Sequence, residues 1–206
     1  MNNLIEILES FNRKERYHLV KMILGGFKVS DEFIALLKSH GIEIPKDHFA
    51  AMDYHIDWIY SSLVCCFEGR DEKSIFKNDG RISGSQEDVD FLIAYKDSQN
   101  KYNLIFLEAK GVTGWSNDQI ESKSRRLEAI FGKEGDKWRG SVILHSFLLS
   151  PKGPKNLEKN SKWFNKWIHL DMDPSVLKFV TRCDDNGRKS KTDTNWKIEY
   201  EHTPNK

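Results

Sequence analysis

The sequence has little of what marks several common protein classes. It contains three cysteines, Cys65, Cys66 and Cys183, and no CxxC pair, so neither a disulfide framework nor a zinc cluster is indicated. Such cysteine usage predicts a reducing, cytoplasmic environment. No run approaches the roughly 18 apolar residues of a membrane span, and the opening MNNLIEILES lacks the basic and apolar regions of a signal peptide. We therefore expect neither a membrane segment nor a leader.

The chain also lacks a charge bias. Lys and Arg total 32 against 31 Asp and Glu, which leaves a net charge of +1. Proteins that bind nucleic acid are often strongly basic, so any electropositive surface here must be local. Hydrophobic residues make up 38% and charged residues 31% of the 206 residues, and the mean hydropathy is −0.62. These values predict a soluble globular protein with one large domain, or one domain with an extension.

The first part of the chain has the spacing of helices. Apolar residues recur at helical intervals over residues 3–24, and Gly25 stops the pattern. Ser30 is a favourable N-cap for a further helix. We predict that residues 1–44 form an N-terminal helical extension and that residues 45–206 form an α/β core.

A longer helix is predicted over residues 47–67, DHFAAMDYHIDWIYSSLVCCF. At about 100° per residue, Asp53 and Asp57 flank one edge of its apolar stripe, one turn apart. The two carboxylates are either a solvated helix flank or part of a site beside the core.

The rest of the chain mixes strands and helices. The patterns predict a loop with a short strand at 74–77, a helix over 117–131, a strand over 141–149, a surface helix over 152–168, and two strands over 176–182 and 196–200 joined by a loop or hairpin. Together with the N-terminal helices, this order indicates an α/β or α+β fold.

The stretch EDVDFLIAYKDSQNKYNLIFLEAKG, residues 87–111, contains two apolar runs separated by a short polar break. This spacing predicts an antiparallel hairpin of two buried strands. Because side chains alternate along a strand, Glu108 and Lys110 point to the same face. Asp90 begins the first strand, which places it beside the end of the second. We expect the three charged groups to converge, unless the hairpin ends simply reach solvent.

Two carboxylates with water form a common site for Mg²⁺, and Mn²⁺ accepts similar oxygen ligands. A neighbouring lysine can orient or deprotonate a water molecule, and the cation can polarise a phosphoryl oxygen. Asp90, Glu108 and Lys110 therefore predict metal-dependent hydrolysis of a phosphodiester.

Asp90 followed by Glu108-Ala109-Lys110 at the end of an apolar strand resembles the core motif of the PD-(D/E)XK, or restriction-endonuclease-like, nuclease superfamily. An acid-x-Lys string occurs three times, but only this one follows an apolar strand with an aspartate heading the strand before it. Val89 stands where many members have proline, and Asp88 is a second acidic candidate. The resemblance covers roughly residues 45–150 and implies a mixed central sheet flanked by helices.

The resemblance also implies roles for particular residues. Asp90, Glu108 and the Ala109 carbonyl would bind the metal ion, and Lys110 would position the attacking water. Members often carry an acidic residue on the first core helix, a place that Asp53 or Asp57 fills. Gln119, Lys123 and Arg126 lie on the helix after the motif strand, where members carry glutamine or basic residues. With Arg125, the cluster Lys123–Arg126 could hold phosphates; the alternative is an ordinary polar helix face.

The expected function is therefore a Mg²⁺-dependent nuclease acting on nucleic acid, most readily DNA. Two alternatives stay open: a non-catalytic module that binds nucleic acid or a protein, and a metal-dependent phosphoesterase with a small substrate. Restriction-like enzymes often dimerise, so a possible homodimer is implied as well, although no stretch of sequence identifies an interface.

Overall fold

The computed structural model describes residues 3–70, 73–84, 87–111, 115, 117–138, 140–151, 163, 166–172, 177–192 and 194–201. Helices and strands alternate along this part of the chain in the following order: α1 Leu4–Phe11, α2 Glu15–Leu24, α3 Asp31–Ser39, β1 Phe49–His55, α4 Ile56–Phe67, β2 Asp88–Lys96, β3 Tyr102–Ala109, α5 Asn117–Phe131, β4 Val142–Ser150, β5 Trp167–Asp171, β6 Leu177–Cys183 and β7 Asn195–Glu201.

The main sheet has five strands in the order β1-β2-β3-β4-β5. The first three strands are antiparallel neighbours, whereas β4 and β5 continue parallel to β3. Parallel neighbours need a crossover connection, and α5 provides it between β3 and β4. Strands β6 and β7 form a separate antiparallel pair.

Helices cover both faces of the main sheet. Leu104 and Phe106 of β3 point into a core cluster that also holds buried residues of α1, α4 and α5. The alternate residues Ile105 and Leu107 point into a second cluster, together with Leu37 of α3. The structure is therefore a mixed α/β fold, and the face that bears Leu104 and Phe106 is the one that α5 covers.

The N-terminal helix α1 packs against this core. Leu4 and Leu8 are completely buried in the cluster that contains Phe106. The backbone N–H of Leu4 donates to the Tyr102 hydroxyl at 3.3 Å, and the Tyr54 hydroxyl donates to the Leu8 carbonyl at 2.8 Å. The proposed boundary at residue 44 stays a prediction, but α1 contributes directly to the packing of the sheet.

The helix predicted over residues 47–67 is wrong in its first half, because residues 49–55 form β1 and only α4 is helical. The apolar residues of 49–51 satisfy a helical pattern, but all three are buried in the sheet beside β2. No glycine or proline separates strand from helix, so the sequence offers no local break. Asp53 has a φ of +48°, a left-handed conformation that Asp tolerates better than most residues. Asp53 and Asp57 consequently do not share a helix.

Other elements agree with the predictions to different degrees. The antiparallel hairpin β2–β3, helix α5, strand β4 and hairpin β6–β7 are confirmed, as is the Ser30 cap, whose hydroxyl accepts the Phe33 N–H at 3.3 Å. The helix predicted over 3–24 is divided at Asn12, whose backbone N–H closes the last turn of α1. Residues 73–84 contain no strand, so the predicted strand at 74–77 is wrong.

The surface helix predicted over residues 152–168 is wrong at its end, where Trp167 begins β5; residues 152–162 lie outside the described part of the chain. Trp163 is completely buried rather than exposed on a surface. Among the helices described, none is both long and apolar enough to cross a lipid bilayer.

Candidate active site

The register of the hairpin brings Asp90 opposite Glu108. Phe91 of β2 pairs with Leu107 of β3, so the next pair outward joins the two acidic residues. The Asp90 Oδ2 atom accepts the backbone N–H of Ala109 at 2.8 Å. This hydrogen bond ties the Asp90 carboxylate to the end of β3, as expected from the hairpin.

Both carboxylates open into a cavity of about 310 Å³ between the end of the sheet and α5. The strands contribute Asp90, Glu108 and Lys110 to its wall. The other residues that line the cavity are Glu87, Trp115, Ile120, Ser122, Lys123, Leu148 and Trp167. The three groups of the predicted site therefore line one cavity.

Glu108 is an unusually buried carboxylate, with only 3% of its surface exposed. Its Oε2 atom accepts a hydrogen bond from Lys123 Nζ, whose side chain is also largely buried. The Asp90 backbone N–H makes a weak favourable contact with the carboxylate, but Oε1 has no hydrogen-bond partner of normal geometry. A buried carboxylate with one unsatisfied oxygen is costly, which makes it a candidate ligand for a cation.

Burial raises the pKa of Glu108 from 4.5 to about 7. The positive charge of Lys123 lowers this pKa, and the negative charge of Asp90 raises it, but removal from water has the largest effect. The carboxyl group therefore changes its charge near neutral pH. A perturbed pKa beside a specific charge in a cavity is a recognised mark of functional sites.

Lys110 lies at the same cavity without contacting Glu108 as an ion pair. Its backbone N–H donates to the Leu149 carbonyl at 2.8 Å, which extends the pairing of β3 with β4 by one residue. Its Nζ atom lies 5.2 Å from the centroid of the Trp115 ring, within the range of a cation–π interaction. The ammonium that contacts Glu108 belongs to Lys123, on α5, rather than to Lys110.

The basic residues predicted on α5 point in different directions. Lys123 faces the cavity, whereas Arg125 pairs with Glu121 on the exposed surface. Arg126 is held by Asp57 and, at 3.5 Å, by Glu87. Gln119 lies in α5, but its side chain is outside the described residues. The expected phosphate-binding cluster is therefore divided, and Lys123 alone of its three described members lines the cavity.

Asp53 and Asp57 do not line the cavity. The β1–β2 register puts Asp53 across from Asp90, but its Oδ2 atom lies 2.8 Å from an Arg16 guanidinium nitrogen. Asp57 accepts the backbone N–H groups of Ser83 at 3.3 Å and Gly84 at 2.9 Å, besides its contact with Arg126. Their role as outer metal ligands stays a prediction without geometric support.

Sequence reasoning missed several residues of the cavity. Trp115 lies between the predicted hairpin and the predicted helix over 117–131, where no element is expected, and Trp167 falls in the predicted surface helix although it begins β5. Ser122 donates to Glu87 at 3.0 Å and so orders the rim of the cavity. A tryptophan soon after the motif strand was the one available signal, and spacing could not show where its ring points.

The cavity offers a divalent cation only a few protein ligands. Within the described ranges, no group of three or more His, Cys, Asp or Glu side chains is arranged to hold a metal ion. Mg²⁺ is commonly bound by one or two carboxylates while keeping several waters. The unsatisfied Oε1 of Glu108, with Asp90 on the neighbouring strand, supplies the acidic oxygens such a cation requires.

No family model matches this chain, and neither a curated protein nor a solved structure matches it.

Proposed function

We propose that this protein is a Mg²⁺- or Mn²⁺-dependent phosphodiesterase that cleaves DNA on a restriction-endonuclease-like core. The observation that carries the proposal is the buried Glu108 carboxylate, which has one unsatisfied oxygen and shares a cavity with Asp90 and Lys110. A structural ion pair with Lys123 would not need the second carboxylate that Asp90 places on the adjacent strand.

The fold supports the same proposal. The superfamily that the motif resembles implies a mixed central sheet flanked by helices, and a mixed sheet with helices on both faces is compatible with that expectation. Asp90 and Glu108 occupy adjacent strands on the face that α5 covers.

In this proposal each charged residue of the cavity has a separate role in hydrolysis. A bound divalent cation would polarise the phosphoryl oxygen and stabilise negative charge on the leaving oxygen. Asp90 and Glu108 bind that cation, and the Ala109 N–H keeps Asp90 oriented. Lys110 positions the attacking water and restricts its movement. Lys123 contributes positive charge for the phosphate at the α5 side of the cavity.

The test is cleavage by purified protein of single-stranded DNA, double-stranded DNA and RNA, each with Mg²⁺, Mn²⁺ or EDTA. We expect metal-dependent cleavage that Glu108→Ala and Lys110→Ala abolish while the melting temperature shows a folded protein. Lys38→Ala, an exposed lysine on α3, is the matched control and should retain activity. Intact nucleic acids under all these conditions would overturn the proposal.

One observation favours the non-catalytic alternative, namely that Lys123 already neutralises Glu108. In a binding module this pair would be permanent and the site would take no cation. Binding of DNA in EDTA with an affinity that Glu108→Ala leaves unchanged would select that function.

A further inference from the structure

The residues that line the cavity are of two chemical kinds. Asp90, Glu108, Lys110 and Lys123 are charged. Trp115, Ile120 and Leu148 form a small separate hydrophobic cluster, against which Trp167 packs. The two kinds of residue meet where the Lys110 ammonium lies 5.2 Å from the centre of the Trp115 ring. A phosphate group alone would contact the charged residues and leave the aromatic ones without a function.

Trp115, a member of this apolar cluster, carries an unused hydrogen-bond donor. The residue is 8% exposed, and its Nε1 atom is buried without a partner. A buried indole N–H usually has an acceptor. The Nε1 atoms of Trp138, Trp163 and Trp167 follow that rule and donate to Ile130, Gly132 and Ser124 at 3.1, 2.9 and 3.1 Å. The exception therefore lies in the wall of the cavity that holds the carboxylates.

We infer that the cavity receives one unpaired nucleotide, with its phosphate at the charged residues and its base against the apolar cluster, where Trp115 Nε1–H donates to the base. This inference rests on the proposed function and names its substrate class. About 310 Å³ lies at the lower end of the range for cavities that hold one small ligand. A base that is stacked and paired inside a duplex cannot reach such a space unless it leaves the stack.

The inference excludes intact duplex as the preferred substrate. An unpaired nucleotide can come from a single strand or from a small nucleotide diester. Stacking a base against aromatic side chains contributes roughly 1–3 kcal/mol, which corresponds to about five- to 150-fold in affinity or specificity. One hydrogen bond from an indole to a base contributes less, on the order of five- to tenfold.

The first experiment compares two diesters with the same leaving group: thymidine 5′-(4-nitrophenyl phosphate), which has a base, and methyl 4-nitrophenyl phosphate, which has none. In both, water adds to phosphorus and 4-nitrophenolate leaves, so release of nitrophenolate measures kcat/KM directly. We expect the wild-type protein to prefer the thymidine ester at least tenfold. Equal kcat/KM values for the two esters would overturn the inference without the use of any variant.

The second experiment tests the donor itself. Trp115→Phe keeps an aromatic ring, removes the N–H and breaks no hydrogen bond within the protein. It should lower the preference for the thymidine ester about five- to tenfold, whereas the exposed Trp196→Phe on β7 should keep it. An unchanged preference in Trp115→Phe would contradict the inference.

Binding provides a readout that does not depend on catalysis. In the Lys110→Ala background with Mg²⁺, fluorescence anisotropy should show tighter binding of a labelled single strand than of its duplex, and Trp115→Phe should reduce the difference. Cleavage or binding of duplex as good as that of the single strand would overturn the inference while the nuclease function stands. Binding of single strands that depends on Trp115 without any cleavage would support the inference and reject the nuclease.

Discussion

Replacement of Glu108 by glutamine should stabilise the protein at alkaline pH, although Glu108 is the centre of the proposed site. The folded-state pKa of about 7 lies above the value of 4.5 for an ordinary glutamate, so the folded protein binds the proton more tightly than the unfolded chain. Stability is therefore full below about pH 4.5 and falls as the pH rises through about 7. At about 1.4 kcal/mol for each pH unit between the two pKa values, the loss reaches roughly 3 kcal/mol.

Glutamine has the shape of a protonated glutamate and can still accept the hydrogen bond from Lys123. The raised pKa already includes the attraction of Lys123, so the Glu108→Gln variant should exceed the wild type by up to about 3 kcal/mol at pH 8 and by little at pH 4.5. Such a gain would identify Glu108 as a residue retained for function at a cost in stability.

The assay is urea unfolding followed by tryptophan fluorescence, in EDTA, at intervals from pH 4.5 to 8.5. Glu121→Gln, which changes a half-exposed carboxylate on α5, is the matched control and should change stability by no more than about 0.5 kcal/mol at any pH. A difference between Glu108→Gln and wild type that does not vary with pH, or a variant less stable than wild type at pH 8, would refute the reasoning.

Three further predictions concern the cation and the charges around it. In differential scanning fluorimetry, Mg²⁺ or Mn²⁺ should raise the melting temperature of the wild type, and Glu108→Gln should abolish this shift. The wild type should bind the cation about tenfold more weakly at pH 6 than at pH 8, because Glu108 must lose its proton to bind it. Lys123→Met removes the positive charge that lowers the pKa of Glu108, so the midpoint of cation binding should move to higher pH, while Arg125→Met should not move it. Asp57→Asn should destabilise the protein by on the order of 1–3 kcal/mol, because it weakens the contact with the largely buried Arg126. It should leave the cation-induced rise in melting temperature intact. Loss of that rise would show that Asp57 takes part in binding the metal ion.

The parts of the fold that could be predicted are those where local pattern and tertiary position coincide. The hairpin β2–β3 has two dense apolar runs and a short polar break, so its register and the pairing of Asp90 with Glu108 follow from the chain itself. Helix α5 has both its amphipathic spacing and a preceding glycine-containing break. Strand β1 has neither advantage, because its partner is distant in sequence and its apolar residues also satisfy a helical spacing.

The candidate site was predictable in its acidic centre and not in its surroundings. The alternation of β3 was enough to group Glu108 with Lys110. Which basic residue of α5 reaches Glu108 depends on how that helix docks on the sheet, and spacing alone does not separate Lys123 from Arg126. Trp115 is brought to the cavity by the chain path between β3 and α5, which no periodicity describes.

Anomalous diffraction from crystals grown with Mn²⁺ at pH 8 tests the central claim most directly. The account predicts a manganese peak in the cavity between the end of the sheet and α5, with Glu108 Oε1 and an Asp90 oxygen among its ligands. A cavity without manganese at saturating Mn²⁺ would contradict it.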